Sequence, residues 1–435
     1  MNRIIIVGNG FDLAHGVKTS YKDFIEWYFG KVIESLRKRK NELTKRNNSE
    51  ESPIFIYEDK FMKFTYGASI EGAIKYLDRT IFMAKEGEFL DAFMKNMTYN
   101  SYMNRTISPL LERIIKDVEN KGWVDIETDY YELLKDYALN KRGNVKQLNE
   151  ELSYIEKKLI EYLKEVENGY FSPNPLNDSK AVTNFQSEIS KIIYSSFNID
   201  EFNFKNRKFI EEYREYWSRD ATKDELRYKL YNLGYEYFQV ESMLNDVENF
   251  RQKKNNDFPD ACLLPDDIIL LNFNYTSIAD KYRPYSSIHI HGKLDDEGSV
   301  IFGYGDELDK KYKEIEELND NEYLEKIKSV KYLERDNYRK MQAFIESEPF
   351  QVYVMGHSCG NSDRTLLNTI FEHENCVSIK PFYYAYKDKE GNDRDNYTEI
   401  VRNITRNFND KQLLRERVVN KTYCKPLPQL EIASI

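Results

Sequence analysis

The chain has 435 residues, which exceeds the usual size of one domain and leaves room for a large core and an insertion. Aromatic residues make up 14% of it against only 18 Gly and 11 Pro, a composition that excludes a disordered or fibrous protein. The formal net charge of −10 argues against nucleic acid as a partner, because phosphate backbones are bound by basic surfaces. A small ligand fits this composition better.

The cysteines and the first apolar residues indicate the cellular compartment. The four cysteines form no CxxC pair and have no zinc-ribbon spacing, so we expect a reducing compartment and no metal: Cys262, Cys359, Cys376 and Cys424. The first apolar stretch, residues 4–7, is far shorter than a signal-peptide core or a membrane span. These features predict a cytoplasmic protein without a membrane partner.

Short β-branched runs predict the strands of a parallel sheet that is buried on both faces. The first run, at residues 4–7, ends in Gly8, Asn9 and Gly10. The comparable runs that follow all lie beyond residue 265: IILLNFN (268–274), SSIHIHG (286–292), SVIFGYG (299–305), FQVYVMGHS (350–358) and VSIKPFYYAY (377–386). The sequence therefore predicts an α/β core that is split in the chain, with the first strand beside residues 268–272.

The long segment between these runs has a charged, Tyr-rich helical pattern and predicts an α-helical insertion. In its clearest helix, residues 145–166 place apolar side chains at steps of three and four, with Asn144 and Gly169 as caps. This helix either docks on its neighbours or dimerises as a coiled coil. We therefore divide the chain into a first core part (1–30), the α-helical insertion (31–260), the remainder of the core (261–400) and a C-terminal extension (401–435).

The predicted strand ends carry glycine, asparagine and histidine, and in an open parallel sheet the ligand binds outside these carboxyl ends. In the turn GNGFDLAHG, three glycines lie between a strand and a helix, where backbone N–H groups favour a phosphate: Gly8, Gly10 and Gly16. A structural tight turn is the alternative. The dinucleotide fingerprint GxGxxG would need glycine where the chain has Leu13, which disfavours a dehydrogenase.

The order of these motifs resembles that of the sirtuins over residues 1–24 and 265–390. The first turn is similar to the sirtuin glycine loop, NFNYT around Asn274 to the sirtuin TQNID strand end, and IHIHG to the catalytic His-Gly pair at His291. The resemblance implies a split sirtuin-like, Rossmann-type core. It also implies a set of nucleotide-binding residues: Gly8, Asn9, Gly10, Phe11, Asp12, His15, Gly16, Gly356, His357 and Ser358.

A second resemblance covers nearly the whole chain. The combination GNGFDLAHGxxTSY, WVDIE at residues 123–127, LNFNYT, HIHG, GYG and GHSxxxSD is similar to the bacteriophage abortive-infection family AbiH. Several motifs in the same order make this resemblance more specific than the sirtuin match. It implies a role in antiphage abortive infection.

Departures from the sirtuin pattern disfavour protein deacylation. The segment 18–21 replaces the sirtuin PDFR residues, Thr276 replaces an aspartate, and zinc-ribbon cysteines are missing from the sequence. Related sirtuin-like domains of bacterial defence systems hydrolyse NAD, and the resemblance implies that activity here. We therefore expect an NAD glycohydrolase that releases nicotinamide, with NAD as its substrate.

The chemistry of the candidate residues agrees with glycosidic cleavage, which forms an oxocarbenium-like ribose and needs a base. A histidine has an unperturbed pKa of about 6.5, so His291 can activate water or a ribose hydroxyl, and Asn274 can orient either group. Each residue also has a structural alternative: a hydrogen-bonded histidine, and a cap for a following helix. Asp12 either accepts hydrogen bonds within the turn or faces the ribose.

Two other functions are consistent with the sequence. The main alternative is a nucleotide-binding sensor or scaffold without catalysis, whose helical insertion engages a partner. The pattern GxSxG at residues 356–360 is typical of a serine hydrolase, but the only later histidine is His373, within the predicted following helix. Beyond NAD or a related nucleotide, the partners that we consider are a phage-derived trigger and a second copy bound through the insertion.

Overall fold

The structure is a computed structural model that describes residues 1–45, 53–97, 101–121, 125–172, 180–283 and 286–430. Its strands form a five-stranded parallel sheet, a three-stranded antiparallel sheet and a two-stranded antiparallel pair. In chain order the strands of the described ranges are β1 (Asn2–Val7), β2 (Ile54–Glu58), β3 (Met62–Tyr66), β4 (Met103–Ile107), β5 (Ile268–Asn272), β6 (Ser287–His289), β7 (Phe350–Met355), β8 (Cys376–Phe382), β9 (Ala385–Lys387) and β10 (Asp393–Asp395).

The parallel sheet has the strand order β6-β5-β1-β7-β8. Its central strand is β1, in which Ile4 lies opposite Ile269 of β5 and Val352 of β7. Every residue of β1 and β7 is buried, as expected of parallel strands that helices cover on both faces. The structure thus confirms the α/β class and the predicted pairing of the first strand with residues 268–272.

One predicted strand is wrong. Within residues 299–305 the chain forms no strand, and Tyr304 makes a single bridge to Ile327. A Cβ atom added to Gly303 would lie 2.0 Å from the carbonyl oxygen of Lys326, so a close backbone contact takes the place of a ladder. The apolar side chains of this segment pack into a different core through Phe302 and Tyr304.

Helices surround the sheets. In the part of the chain that the structure describes, the α-helices are α1 (Asn9–Ala14), α2 (Tyr21–Lys45), α3 (Ile70–Met83), α4 (Phe89–Met97), α5 (Pro109–Lys121), α6 (Ile126–Asn140), α7 (Val145–Phe171), α8 (Lys180–Ile193), α9 (Phe204–Glu215), α10 (Lys223–Asn232), α11 (Tyr237–Arg251), α12 (Lys310–Glu316), α13 (Lys328–Lys331), α14 (Asn337–Ser347), α15 (Arg364–Phe371), α16 (Tyr397–Arg406) and α17 (Lys411–Arg417). Across these ranges, no helix combines the length and the apolar character that a membrane span requires.

Alternate residues of β1 point to opposite faces of the parallel sheet. Ile4 and Ile6 belong to the core formed with α14, α15 and α16, whereas Ile5 and Val7 belong to the core formed with α8, α10 and α11. The sheet and these two helical layers form a three-layered α/β/α arrangement. One of the layers, with α8, α10 and α11, comes from the segment that the sequence predicts to be a separate insertion.

A third core lies between α2 and α7 and includes the antiparallel sheet β2-β3-β4. The predicted α-helical insertion therefore contains a sheet, which is a correction. Only alternate residues of β2 and β3 are buried, so these strands lack the continuous apolar run that marks a buried parallel strand: Ile54 and Ile56 in β2, and Met62, Phe64 and Tyr66 in β3. The boundary predicted at residue 30 falls inside α2.

Helix α7 begins as predicted, because the side chain of Asn144 accepts a hydrogen bond from the N–H of Gln147 at 3.1 Å. Its predicted end at Gly169 is wrong, since the helix continues to Phe171 and Ser172 follows as its C-cap. The apolar seam of α7 is part of the third core. This seam therefore docks on neighbouring elements of the same chain.

The C-terminal extension packs on the parallel sheet. Ile404 and Phe408 lie in the core on one face, Leu427 lies in the core on the other face, and Val418 bridges Ile379 of β8. Residues 431–435 of the predicted extension, and residues 123–124 of the WVDIE motif, lie outside the described residues.

Candidate active site at the strand ends

A cavity of about 360 Å³ lies where four neighbouring strands of the parallel sheet end, β6, β5, β1 and β7. Helices α6 and α7 and the start of α2 also line it, so the cavity lies between the parallel sheet and the third core. Ligands of open parallel sheets bind at this edge. The described residues that line the cavity are Gly8, Asn9, Gly10, Asp12, Thr19, Tyr21, Asp125, Glu127, Leu159, Leu163, Phe273, Asn274, Tyr275, Thr276, His291, Gly356, His357, Ser358, Ser362 and Asp363.

Two glycine turns touch each other in the cavity wall. The N–H of Gly10 donates to the carbonyl oxygen of Gly356 at 2.8 Å. A Cβ atom added to Gly356 would lie 2.0 Å from the nitrogen of Phe11, and the φ of Gly356 is +76°. Both values require glycine at 356, because L side chains rarely adopt positive φ and the added carbon would have no space. The turns after β1 and β7 therefore depend on each other.

The backbone amides of the first turn are used within the protein. The N–H groups of Gly8, Gly10 and Gly16 each donate to a backbone carbonyl oxygen, at 3.2, 2.8 and 2.9 Å respectively. These three N–H groups are therefore not free to donate to a phosphate in this arrangement of the turn. Glycine at 8 and 10 instead allows the close contact with the turn after β7.

Three predicted binding residues lie away from the cavity lining: Phe11, His15 and Gly16. Phe11 and His15 are four positions apart on one side of α1 and contact each other, whereas Asp12 lies on the side that faces the cavity. The other predicted site residues do line the cavity: Gly8, Asn9, Gly10, Asp12, Asn274, His291, Gly356, His357 and Ser358.

His15 has a structural role. Its Nδ1 lies 2.7 Å from the carbonyl oxygen of Phe11, and its Nε2 lies 2.7 Å from the hydroxyl of Tyr282. Because a carbonyl oxygen only accepts, these partners assign the proton to Nδ1 and make Nε2 the acceptor. Burial lowers the pKa of His15 to about 4, so the ring is neutral.

Asn274 is fixed between two strand ends. Its Nδ2 donates to the carbonyl oxygen of Gly8 at 3.1 Å, and its backbone N–H donates to Oδ1 of Asn272 at 2.9 Å. These bonds hold the amide group of Asn274 in one orientation in the cavity wall, where it can position a ligand.

Asp12 is a buried carboxyl group in the cavity lining. The hydroxyl of Thr276 donates to Oδ2 of Asp12 at 2.5 Å, while Oδ1 has no hydrogen-bond partner among the described residues. Burial raises the pKa of Asp12 to about 7, although the hydrogen bond from Thr276 and the neighbouring amide of Asn274 oppose the rise. Asp12 therefore changes its protonation near neutral pH.

His291 has two neighbours at one ring nitrogen. Its Nε2 lies 3.1 Å from the hydroxyl of Tyr332 and 3.3 Å from Oδ1 of Asp363. Burial, together with the nearby charge of Lys328, lowers the pKa of His291. The ring is therefore neutral at neutral pH and able to accept a proton.

A buried ion cluster supports His291. Nζ of Lys328 lies 2.8 Å from Oδ1 of Asp363 and 3.0 Å from the carboxylate of Glu127. Burial alone would lower the pKa of Lys328, but the two carboxylates raise it, so Lys328 stays charged. Burial alone would raise the pKa of Asp363, but Lys328 and His291 hold it well below its usual range. Asp363 is an ionised carboxylate between the lysine and the histidine.

The start of α6 reaches the cavity through two acidic residues. Asp125 accepts hydrogen bonds from the N–H and the hydroxyl of Thr128, at 3.1 and 2.9 Å, and is the N-cap of α6. Glu127 accepts a hydrogen bond from the N–H of Gly303 at 3.2 Å, and burial raises its pKa. These two residues therefore belong to the start of α6 and also line the cavity.

His357 contacts the same carboxylate as His291. Its Nδ1 accepts from the backbone N–H of Cys359 at 2.9 Å, which leaves the proton on Nε2, 3.5 Å from Oδ2 of Asp363. The ring centre of Phe273 lies 4.3 Å from that of His357 and 5.2 Å from that of His291. Asp363 and Phe273 therefore both lie against the two histidines and hold their rings.

The cavity is acidic. Among its described lining residues, four carry a carboxyl group and none is Lys or Arg: Asp12, Asp125, Glu127 and Asp363. The described lining therefore presents carboxyl groups, and no lysine or arginine, to a ligand. In the described ranges of the chain, no three His, Cys, Asp or Glu side chains are grouped so that they could hold a metal ion.

Sequence reasoning missed Asp363, Lys328 and Tyr332 as site residues. Asp363 is the last residue of the GHSxxxSD pattern, so that pattern contained the signal for it. Lys328 and Tyr332 lie in a charged segment without a recognisable motif, and only the fold brings them to the site.

The chain is thus an α/β protein whose five-stranded parallel sheet has histidine and carboxyl side chains beside its strand ends. The family model described as bacteriophage abortive infection AbiH matches residues 4–385. The chain therefore belongs to the AbiH family, which implies a role in abortive infection by phage. No curated protein and no solved structure matches the chain. The sirtuin-like identity of the core stays a prediction.

Proposed function

We propose that this AbiH-family protein hydrolyses NAD in response to phage, by cleaving the bond between nicotinamide and ribose in the strand-end cavity. The observation that carries the proposal is the convergence of Asn274, His291 and Asp12 on one acidic cavity at the ends of β1, β5 and β6. A fixed amide, a neutral imidazole and carboxyl groups are the groups that glycosidic cleavage uses.

The cavity suits the nicotinamide-ribose half of NAD. Its volume of about 360 Å³ is at the small end of the range for ligand pockets, which fits half of a dinucleotide. Its carboxyl groups match the positive charge of the oxidised nicotinamide ring, and Phe273, Leu159 and Leu163 offer apolar surface to that ring. The diphosphate, which is anionic, would lie outside this acidic space.

Hydrolysis breaks the bond between C1′ of the ribose and N1 of nicotinamide. The electron pair of that bond goes to the ring, which leaves as neutral nicotinamide, and the ribose becomes oxocarbenium-like. The oxygen of one water molecule then bonds to C1′ and the water loses a proton to a base. The products are ADP-ribose, nicotinamide and one proton. An acidic lining stabilises the positive charge at C1′.

In this reaction His291 is the base. With Nε2 facing Asp363, the resting proton lies on Nε2, and Nδ1 is the atom that accepts the proton from water. The ionised carboxylate of Asp363 then stabilises the imidazolium, as the third group of a catalytic triad does. Asn274 orients the water or a ribose hydroxyl. Loss of NAD would stop the metabolism of the infected cell, which is the outcome that abortive infection requires.

The test is the release of nicotinamide from NAD by purified protein, alone and with an extract of phage-infected cells. We expect release by the wild type, and rates lower by about two to four orders of magnitude for His291→Ala and Asn274→Ala. His373→Ala is the matched control, because His373 lies outside the cavity lining, and should keep the wild-type rate. The absence of release under both conditions, or an active His291→Ala protein, would contradict the proposal.

One observation favours a second function, the sensing of a nucleotide without catalysis. The cavity wall combines the strand ends with α6 and α7 of the third core, so a bound ligand contacts both cores and can change how they meet. In that case NAD or ADP-ribose would raise the melting temperature without release of nicotinamide. His291→Ala would then keep the protection against phage.

A further inference from the structure

We infer that Asp12 selects the positively charged, oxidised form of the nicotinamide ring, an inference that rests on the proposed function. The structure places one carboxyl oxygen of Asp12, without a hydrogen-bond partner among the described residues, in the wall of the acidic cavity. The selected substrate class is a cationic N-glycoside, in which the positive charge belongs to the leaving group.

The geometry of Asp12 separates the roles of its two oxygens. The side chain is buried, with 1% of the residue exposed, and the hydroxyl of Thr276 holds Oδ2 at 2.5 Å. This bond fixes the plane of the carboxyl group, so Oδ1 is the oxygen that remains for a ligand. A buried carboxyl oxygen without a partner is costly, and a cationic ligand would remove that cost.

The elements packed against Asp12 bring it further negative charge. Helix α7 presents Glu167, which raises the pKa of Asp12, and Tyr170, whose own pKa rises partly through the charge of Asp12. The segment after β5 presents only the neutral groups of Asn274 and Thr276.

His15 and Lys281 do not neutralise Asp12. His15, at the end of its own helix, is neutral because burial lowers its pKa to about 4. Lys281 places its Nζ 4.3 Å from the ring centre of Tyr170 and 5.0 Å from that of Phe171, and thus lies against aromatic rings. A positively charged ligand is therefore the partner that fits Oδ1 of Asp12.

A charged ring beside Oδ1 stabilises the ionised carboxylate, whereas a neutral ring does not. Binding of the oxidised ligand therefore releases a proton from Asp12 at pH values below its pKa, which burial raises to about 7. Affinity for the oxidised ligand should rise with pH up to that value, by at most about tenfold per pH unit. Affinity for the reduced, neutral ligand should not rise.

The experiment measures the affinity of nicotinamide riboside and of its reduced form by calorimetry, between about pH 5.5 and pH 8.5, a range that spans the titration of Asp12. These ligands carry no phosphate, so the readout concerns the ring and the ribose alone. We expect the wild type to prefer the oxidised form by about tenfold or more at the high end of this range. Asp12→Asn should lose both the preference and its pH dependence.

Asp23→Asn is the matched control, because Asp23 forms hydrogen bonds with Ser20 and lies outside the cavity lining. This variant should keep the preference for the oxidised ligand. The pH dependence of the affinity is also measured on the wild type alone, where no substitution can disturb the fold. Equal affinity of the wild type for both forms, no binding of either form, or a full preference in Asp12→Asn would each overturn the inference. Nicotinamide release is measured separately: selective binding without release would defeat the proposed function alone, and release without selectivity would defeat the inference alone.

Discussion

Nζ of Lys328 lies 2.8 Å from Oδ1 of Asp363, and both groups are buried. The lysine keeps the aspartate ionised, and the same carboxylate faces Nε2 of His291 and Nε2 of His357. A lysine from the segment before β7 therefore sets the charge that two histidines of the cavity experience. Because Lys328 also binds Glu127 at the start of α6, the third core is tied to the same cluster.

The first prediction concerns this ion pair. Asp363→Asn leaves the charge of Lys328 buried with a single carboxylate, so we expect the free energy of unfolding to fall by about 3–5 kcal/mol. Glu334→Gln removes the carboxylate of an exposed pair with Lys331 and should cost less than about 1 kcal/mol. Urea titrations followed by circular dichroism measure both changes. Equal losses in the two variants would show that the buried cluster does not stabilise the fold.

The second prediction concerns the contact between the two glycine turns. Gly356 and Gly391 share a positive φ, +76° and +85°, but an added Cβ atom meets the nitrogen of Phe11 only at position 356. Gly391→Ala should therefore cost about 1–2 kcal/mol, the penalty for the left-handed conformation. Gly356→Ala should cost several times more, because the added carbon also forces the turns apart. Denaturant midpoints compare the two, and similar values would contradict the proposed close contact.

The third prediction concerns the pH dependence of stability through Asp12. Burial raises its pKa from 3.8 to about 7, so the folded state favours the protonated form more strongly than the unfolded chain does. This stabilisation is fully present below about pH 4 and is lost as the pH rises to about 7. Asp12→Asn should match the wild type near the low limit and exceed it by up to about 4 kcal/mol above the high limit. Melting curves across this range test the sign, and a constant difference would refute it.

The fourth prediction concerns the cysteines, all of which are buried: Cys262, Cys359, Cys376 and Cys424. Burial raises the pKa of Cys262 to about 11 and that of Cys376 and Cys424 to about 12, so little thiolate exists at neutral pH. Ellman's reagent should label the native protein only slowly and all four thiols after unfolding. Glu314→Cys adds an exposed thiol as a control and should gain one fast-reacting group. Rapid labelling of the native wild type would show that the core opens.

Sequence reasoning correctly predicted the strands that are buried on both faces of the sheet. Strands β1 and β7 are buried at every position, so their apolar runs are visible without further information. Asn274 and His291 follow the apolar runs of β5 and β6, and the topology of a parallel sheet brings strand ends together. The motif order also indicated the AbiH family, which the family match confirms.

Sequence reasoning did not predict which residues reach the cavity where this depends on packing between separate elements. Phe11 and His15 belong to the same motif as Asp12, but α1 turns them toward the sheet core and leaves Asp12 at the cavity. The sequence of the glycine turn predicts backbone amides that bind a phosphate, but the N–H of Gly10 donates to the carbonyl oxygen of Gly356 in the turn after β7. Lys328 joins the site only through contacts with residues that are distant in the chain.

The central position of β1 has a consequence for synthesis of the protein. Asn2 pairs with Phe350 and Val7 with Asn272, so the first strand to be made has no sheet partners until most of the chain has been translated. At about 5–20 residues per second, a ribosome needs roughly 20 to 70 s to reach the partner strand β7. The turn with Gly356 and the carboxylate of Asp363 come later still, so a nascent or truncated chain contains no complete cavity. Any activity of that cavity would therefore begin only after nearly the whole protein has been made, and the growing chain would not harm the cell that makes it.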